Sequence, residues 1–199
     1  MWLNQQRISQ VLDFLNQQEP VIQNSSLIAQ NEWGSLKVEE RVDLLKKFVA
    51  DFLSKEKQII EEITRQMGRP ISQAISELKG FKERADYMLS IAEDKLQNIY
   101  LPEKENFKNY IKRIPMGVSF VIAPWNYPYL TSVNSIIPSL ASGNSVILKH
   151  SAQTPLCAEQ LYESAKKTLP KNVFSFLSFK SGRKKGDKSW LQEVRRRKF

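Results

Sequence analysis

Residues 115–155 constrain the fold most, because they read without interruption as strand, crossover helix and strand: PMGVSFVIAPWNYPYLTSVNSIIPSLASGNSVILKHSAQTP. Val118 to Ala123 is apolar except for Ser119 and ends in a Pro-Trp-Asn-Tyr-Pro corner. A helix-length segment follows, a Gly-Asn pair stops it, and a second apolar run, Val146 to Leu148, ends in Lys149. Short continuous apolar runs suit parallel strands covered on both faces, and the connection is long enough for a crossover helix. In such sheets ligands sit beyond the carboxyl ends of the strands. Asn126 and Lys149, each just past a strand, are therefore the first polar groups expected to face a ligand.

The rest of the chain is read around this unit. Ile8, Val11, Leu12 and Leu15 predict an N-terminal amphipathic helix, which Pro20 and the polar Gln23 to Ser26 are expected to interrupt. A helix from about Val38 carries Val42, Leu45, Val49, Phe52 and Leu53 on one face, and a second from about Lys55 ends at Gly68 and Pro70. A third, Ser72 to about Gln97, keeps Ile75, Leu78, Phe81 or Lys82, Ala85, Met88 or Leu89 and Ala92 on a stripe. Gly80 in its interior weakens a helix by about 1 kcal/mol relative to Ala, which predicts close packing or a kink there. The polar stretch Pro102 to Asn109 leads to an alternating run, Tyr110 to Ile114, with the pattern of a half-exposed strand. Beyond the central unit, Thr154 and Pro155 make a good N-cap and first turn for a helix that runs to Pro170, and Asn172 to Leu177 reads as a third strand. The sum is an α/β chain: helices, then half of a doubly wound parallel sheet.

Composition narrows the function classes. The chain has one Cys and one His among 199 residues, so it forms no internal disulfide and has no cluster from which to build a zinc or iron site. The N-terminus lacks a basic start and an apolar core, and no run approaches 18 apolar residues, which predicts a cytoplasmic protein without a signal peptide or membrane span. The net charge is +9, but residues 178–199 hold nine Lys or Arg against two acids. The basic character belongs to that tail, whose composition is that of a disordered segment, and nucleic acid is not the expected partner of the fold itself.

The motifs Val-x-Phe-Val-Ile-x-Pro-Trp-Asn-Tyr-Pro, Pro-Ser-Leu-Ala-Ser-Gly-Asn-Ser-Val-Ile-Leu-Lys and Thr-Pro resemble, in order and separation, the aldehyde dehydrogenase superfamily. Met67-Gly68-Arg69-Pro70-Ile71, Glu77 and Gly80 are similar too, and Lys149-His150-Ser151-Ala152 resembles the succinate-semialdehyde dehydrogenase branch more than the common Lys-Pro-Ser-Glu form. The likeness runs from about Leu36 to about Leu177. It implies a helical segment of the cofactor domain over 1–109, a partial Rossmann-like β-α-β-α-β unit over 110–177 and a basic tail over 178–199. The activity implied is oxidation of an aldehyde or semialdehyde to the acid with NAD or NADP, in a family whose intact members are homo-oligomers.

In the family, the residue matching Asn126 donates its amide N–H to the aldehyde oxygen as it becomes an oxyanion; one such donor is typically worth roughly 3 to 4 kcal/mol. An Asn in such a corner can also hold the turn by bonding its own backbone. The Lys matching Lys149 donates to ribose hydroxyls, and Ile122, Pro124 and Trp125 match the wall of the cofactor crevice, although a Trp after a buried strand is also ordinary core. Ala152 stands where the family commonly has a Glu that repels a 2′-phosphate. Its methyl group predicts tolerance of NADP, with His150 or Ser151 open to the phosphate. Cys157 matches no family nucleophile and, early in a helix, reads as a small core residue. The family's nucleophilic Cys and general-base Glu lie downstream of the matched motifs. The chain is thus expected to be a truncated or frame-shifted form that is inactive alone. The alternatives are a non-catalytic remnant that binds nucleotide weakly or associates with a full-length paralogue, and a nucleic-acid binder resting on the tail alone.

Overall fold

The computed structural model describes residues 20–102 and 107–177. The expected helix around Ile8 to Leu15 and the basic tail lie outside the described residues. Four helices come first: α1 (Pro20–Ser35), α2 (Val38–Leu53), α3 (Glu56–Met67) and α4 (Ile71–Leu96). The first of these corrects the sequence reading, which placed a break at Pro20 to Ser26. Proline is tolerated in the first turn of a helix, and here it begins one.

The next three follow their apolar spacing. Helix α2 buries Val42, Leu45, Phe48, Val49 and Phe52; α3 buries Ile59 and Ile63 and stops at Gly68 in the left-handed conformation (φ 73°). Helix α4 buries Ala74, Leu78, Phe81, Ala85, Leu89 and Ala92, but Ile75, assigned to that stripe, is exposed. The face turns to bring Ala74 and Glu77 inward instead. The close approach expected at Gly80 is present, since a Cβ there would meet Leu130 Cδ1 at 2.8 Å.

A short antiparallel ribbon, β1 (Ile99–Tyr100) with β2 (Tyr110–Ile111), precedes the central unit. It is exposed on both faces and shorter than the alternation through Ile114 predicts. Then β3 (Val118–Ile122), α5 (Pro128–Ala141), β4 (Ser145–Lys149), α6 (Pro155–Thr168) and β5 (Phe174–Leu177) form a three-stranded parallel sheet in the order β3-β4-β5. Central β4 is buried throughout except at Lys149, which is half-buried. Strand β3 differs from the expectation of cover on both faces: as an edge strand among the described residues, it leaves Val118 and Ile122 exposed.

Helices α2 and α4 pack on α5, with Phe52, Phe81 and Tyr129 meeting at ring separations of 4.9, 5.1 and 6.4 Å. Polar side chains fix the ends of α5. At its C-terminus, Trp33 Nε1 donates to Leu140 O (2.9 Å), Gln30 Nε2 to Gly143 O (3.1 Å) and Arg41 Nε to Ala141 O (3.0 Å). A buried cation at the end of a helix complements the partial negative charge of its free carbonyls. Asn144 of the Gly-Asn stop then ties that end to the start of β3: its Oδ1 accepts from Met116 N and Gly117 N at 2.6 and 2.9 Å. The crossover helix is thus anchored at its C-terminus, and its first turn follows the Pro-Trp-Asn-Tyr-Pro corner.

Candidate functional site

The carboxyl ends of β3 and β4 lie side by side. Ile122 pairs in register with Lys149, and Ala123 N continues the ladder to Lys149 O (3.0 Å). Two neighbouring strands therefore deliver the Pro124–Pro128 corner and the Lys149–Thr154 turn to one edge of the sheet. In the corner, Pro124 is half-buried while Trp125, Asn126 and Tyr127 are exposed. Trp125 has half its surface open and is not core among the described residues.

The Asn126 carboxamide has no hydrogen-bond partner among the described residues, so it does not hold the corner by bonding its own backbone. Other groups hold it. Glu77, fully buried in α4, accepts through Oε1 from Tyr129 N (2.7 Å) and Leu130 N (3.1 Å), the second and third residues of α5. Its other oxygen is paired with Arg69. Arg69 Nη1 in turn donates to Asn126 O (3.4 Å), and its guanidinium lies 5.3 Å from the centre of the Tyr127 ring. Burial lowers the Arg69 pKa from its ordinary value. Sequence reasoning quoted Arg69 and Glu77 but gave them no role. The available signal was a carboxylate on the apolar stripe of α4.

The Lys149 turn is built around His150, and here the structure corrects the sequence reading. His150 is not open to a phosphate; it is buried, with both ring nitrogens occupied. Nδ1 accepts from Ser151 N (2.9 Å) and lies 3.1 Å from Thr154 Oγ1, while Nε2 lies 3.4 Å from Pro128 O. The neutral tautomer with its proton on Nε2 satisfies all three contacts. Desolvation pushes its pKa down to about 4; the Pro128 carbonyl opposes this shift and nearby Lys149 adds to it. The His150–Pro128 contact also staples this turn to the Asn126 corner. Ser151 is half-buried, with its Oγ accepting from Gln153 N (3.2 Å), and Ala152 is exposed.

Thr154 occupies the N-cap position of α6, but its hydroxyl turns to His150 and does not cap the helix. Gln66 of α3 supplies the missing acceptor, with Oε1 taking Leu156 N (3.2 Å). Cys157 is fully buried, as a core residue should be, and burial pushes its thiol up to about 12, so it is no thiolate at neutral pH. Among the described residues no cluster of three or more His, Cys, Asp or Glu could hold a metal ion, and no helix is long and apolar enough to cross a membrane.

Known proteins resemble this chain in sequence and in fold. The profile of the aldehyde dehydrogenase family matches residues 5–189. A 2-aminomuconic 6-semialdehyde dehydrogenase of Pseudomonas sp. is 30% identical over 154 residues, which is 74% of this chain and 31% of that protein. A Mycolicibacterium smegmatis protein, provisionally named succinate-semialdehyde dehydrogenase [NADP(+)], is 32% identical over 157 residues, 74% of this chain and 29% of the other. PnpE, solved in complex with nicotinamide adenine dinucleotide, superposes with a TM-score of 0.73 at 26% identity, covering 78% of this chain and 32% of its own. Succinate-semialdehyde dehydrogenase from Burkholderia pseudomallei shares the fold, with a TM-score of 0.75 at 21% identity over 80% of this chain and 33% of that one. The chain spans about a third of the length of the curated relatives it matches.

Proposed function

The chain belongs to the aldehyde dehydrogenase family, and from that premise we propose that its residues form the oxyanion-holding and ribose-binding edge of an enzyme that oxidises an aldehyde or semialdehyde with NAD(P). The observation that carries this reading is the exposed Asn126 carboxamide, without a hydrogen-bond partner among the described residues, in the corner that follows β3, a strand whose end pairs in register with Lys149 at the end of β4. The family uses NAD(P), and the residues here fit part of that cofactor. Ile122, Pro124 and Trp125 offer an apolar wall, Lys149 a cation at the carboxyl end of β4, and the Ser151–Ala152 turn no carboxylate to repel a 2′-phosphate. NADP is therefore accepted alongside NAD. The pyrophosphate does not belong at α5 or α6, because Glu77 and Gln66 already occupy those helix N-termini. When bound, the nicotinamide takes up the hydride of the aldehyde; this chain's part is to orient the carbonyl and receive its developing charge at Asn126.

Within these 199 residues the one thiol is buried and protonated, so Cys157 is not the nucleophile of the reaction. We expect the purified 199-residue chain to bind NAD(P) weakly, to lose that binding in Lys149→Ala, and to form no NAD(P)H from succinate semialdehyde. NAD(P)H formation that Asn126→Ala abolishes would refute the claim that the chain needs residues it does not contain. Nucleotide binding unchanged by Lys149→Ala would refute the assignment of the ribose. A second reading, association with a longer relative, is favoured by the apolar side chains around the ribbon, where Tyr100, Phe107, Tyr110, Ile111, Ile114 and Met116 all lie exposed. Sedimentation of the chain alone and with a full-length relative tests it.

A further inference from the structure

We propose that Glu77 is a positioning residue for the Asn126 carboxamide, a proposal that rests on the reading of Asn126 as the group meeting the carbonyl oxygen. One carboxylate grips the corner from both sides. Through Oε1 it holds the first turn of α5 at Tyr129 N and Leu130 N, just after Asn126, at 2.7 and 3.1 Å. Through Arg69 it reaches the Asn126 carbonyl (3.4 Å) and the Tyr127 ring. The corner supplies no cap of its own: Tyr127 stands at the N-cap without a side-chain bond, and Pro128 has no N–H to give.

Capping α5 explains only half of this arrangement. A neutral oxygen can accept the same two hydrogen bonds, and burying a carboxylate is unfavourable unless its charge is used. The use is Arg69, whose own burial disfavours its charge unless it is paired and hydrogen-bonded, and whose Nη1 donates to the carbonyl of residue 126. The charge on Glu77 therefore orients the guanidinium, and the guanidinium orients the peptide that carries Asn126. A carboxamide with no contact of its own can keep a productive geometry only if its backbone is fixed, because donor placement within a few tenths of an ångström is what makes an oxyanion site effective.

The two functions of the carboxylate separate by substitution. Glu77→Gln keeps an oxygen for the Tyr129 and Leu130 amides but releases Arg69; Glu77→Leu removes both contacts. The test uses the full 199-residue chain, 15N-labelled, with the Asn126 carboxamide signal assigned from its disappearance in Asn126→Asp and the β4 amides Val146 and Leu148 as internal standards. In Glu77→Gln, exchange at Tyr129 and Leu130 is expected to stay within about threefold of wild type while the Asn126 carboxamide and the 125–127 amides shift or broaden. In Glu77→Leu, Tyr129 and Leu130 should exchange at least about tenfold faster, a cap's worth of protection, with β4 much less affected. Arg69→Met should reproduce the 125–127 changes alone. If Glu77→Gln does not fold, the charge-neutral double variant Arg69→Met, Glu77→Gln carries the same comparison.

Unchanged 125–127 signals in both Glu77→Gln and Arg69→Met would overturn the proposal. An equal rise in exchange across α5 and β4 would also overturn it, by reducing Glu77 to general stability. The two readings fail separately: if Glu77→Gln disturbs the corner but Asn126→Ala leaves aldehyde-dependent shifts of the Trp125 indole unchanged, the Asn126 reading alone is overturned.

Discussion

His150 should make the fold acid-sensitive within a definite pH window. In the folded chain its pKa lies at about 4, against 6.5 for a free imidazole. The folded state therefore binds fewer protons than the unfolded state between those values, and stability falls as pH drops from about 6.5 towards 4. The full difference of 2.5 units corresponds to about 3 kcal/mol, of which about 2 kcal/mol is lost between pH 7 and pH 5. The structural reason is local: a proton on Nδ1 would set a donor against the Ser151 amide and the Thr154 hydroxyl, which now give their hydrogens to that nitrogen. Carboxylates with lowered pKa values, such as Asp51 beside Lys55, destabilise only below about pH 4 and leave the window clean. Urea unfolding of the wild type and His150→Gln at half-unit steps from pH 4.5 to 7.5 reads the effect. The variant is expected to be less stable at pH 7, where it loses these contacts, but flatter by about 2 kcal/mol between pH 7 and 5. Parallel curves for the two proteins would refute the reasoning, as would an imidazole titration near 6.5 in the folded chain.

Two further perturbations probe the anchoring of the corner and the state of the thiol. Gly143→Ala should destabilise the chain by about 2 kcal/mol, measured by the same unfolding assay, because residue 143 has φ +87° and a Cβ there would meet Pro115 Cγ at 2.9 Å and Gly34 Cα at 3.2 Å. Cys157 should resist iodoacetamide at pH 8 in the native chain and react readily in urea, since the folded thiol is fully buried and its pKa is pushed up to about 12. Rapid native labelling would show that the packing of α6 around it is wrong.

The strand-corner-helix-strand unit is legible in the sequence because its signals are local: apolar runs of strand length, a proline at the first position of α5, a Gly-Asn stop. Asn126 and Lys149 are legible for the same reason, since a polar residue just past an apolar run announces a strand's carboxyl end. Helix α1 is not, because Asn24 to Ser26 have weak helix propensity; Trp33 and Gln30 instead tie the helix to the end of α5, more than 100 residues away in sequence. The same obscurity covers Arg41, Gln66, Glu77 and His150, each of which has among its partners a backbone amide or carbonyl of a distant element. A backbone group has no identity that a sequence can display, so such a contact leaves no mark at the receiving end. It leaves one only at the giving end, as a charge where the helical period calls for an apolar residue. Arg41 stands beside Val42 and Leu45 on the buried face of α2, and Glu77 between Ala74 and Leu78 on that of α4. Burial makes both charges unfavourable unless something uses them: Glu77 pairs with Arg69 while capping the N-terminus of the crossover helix, and Arg41 holds that helix's C-terminus, each with the sign its dipole favours. The helical layer thus orients α5, and with it the Asn126 corner, through its two departures from pattern.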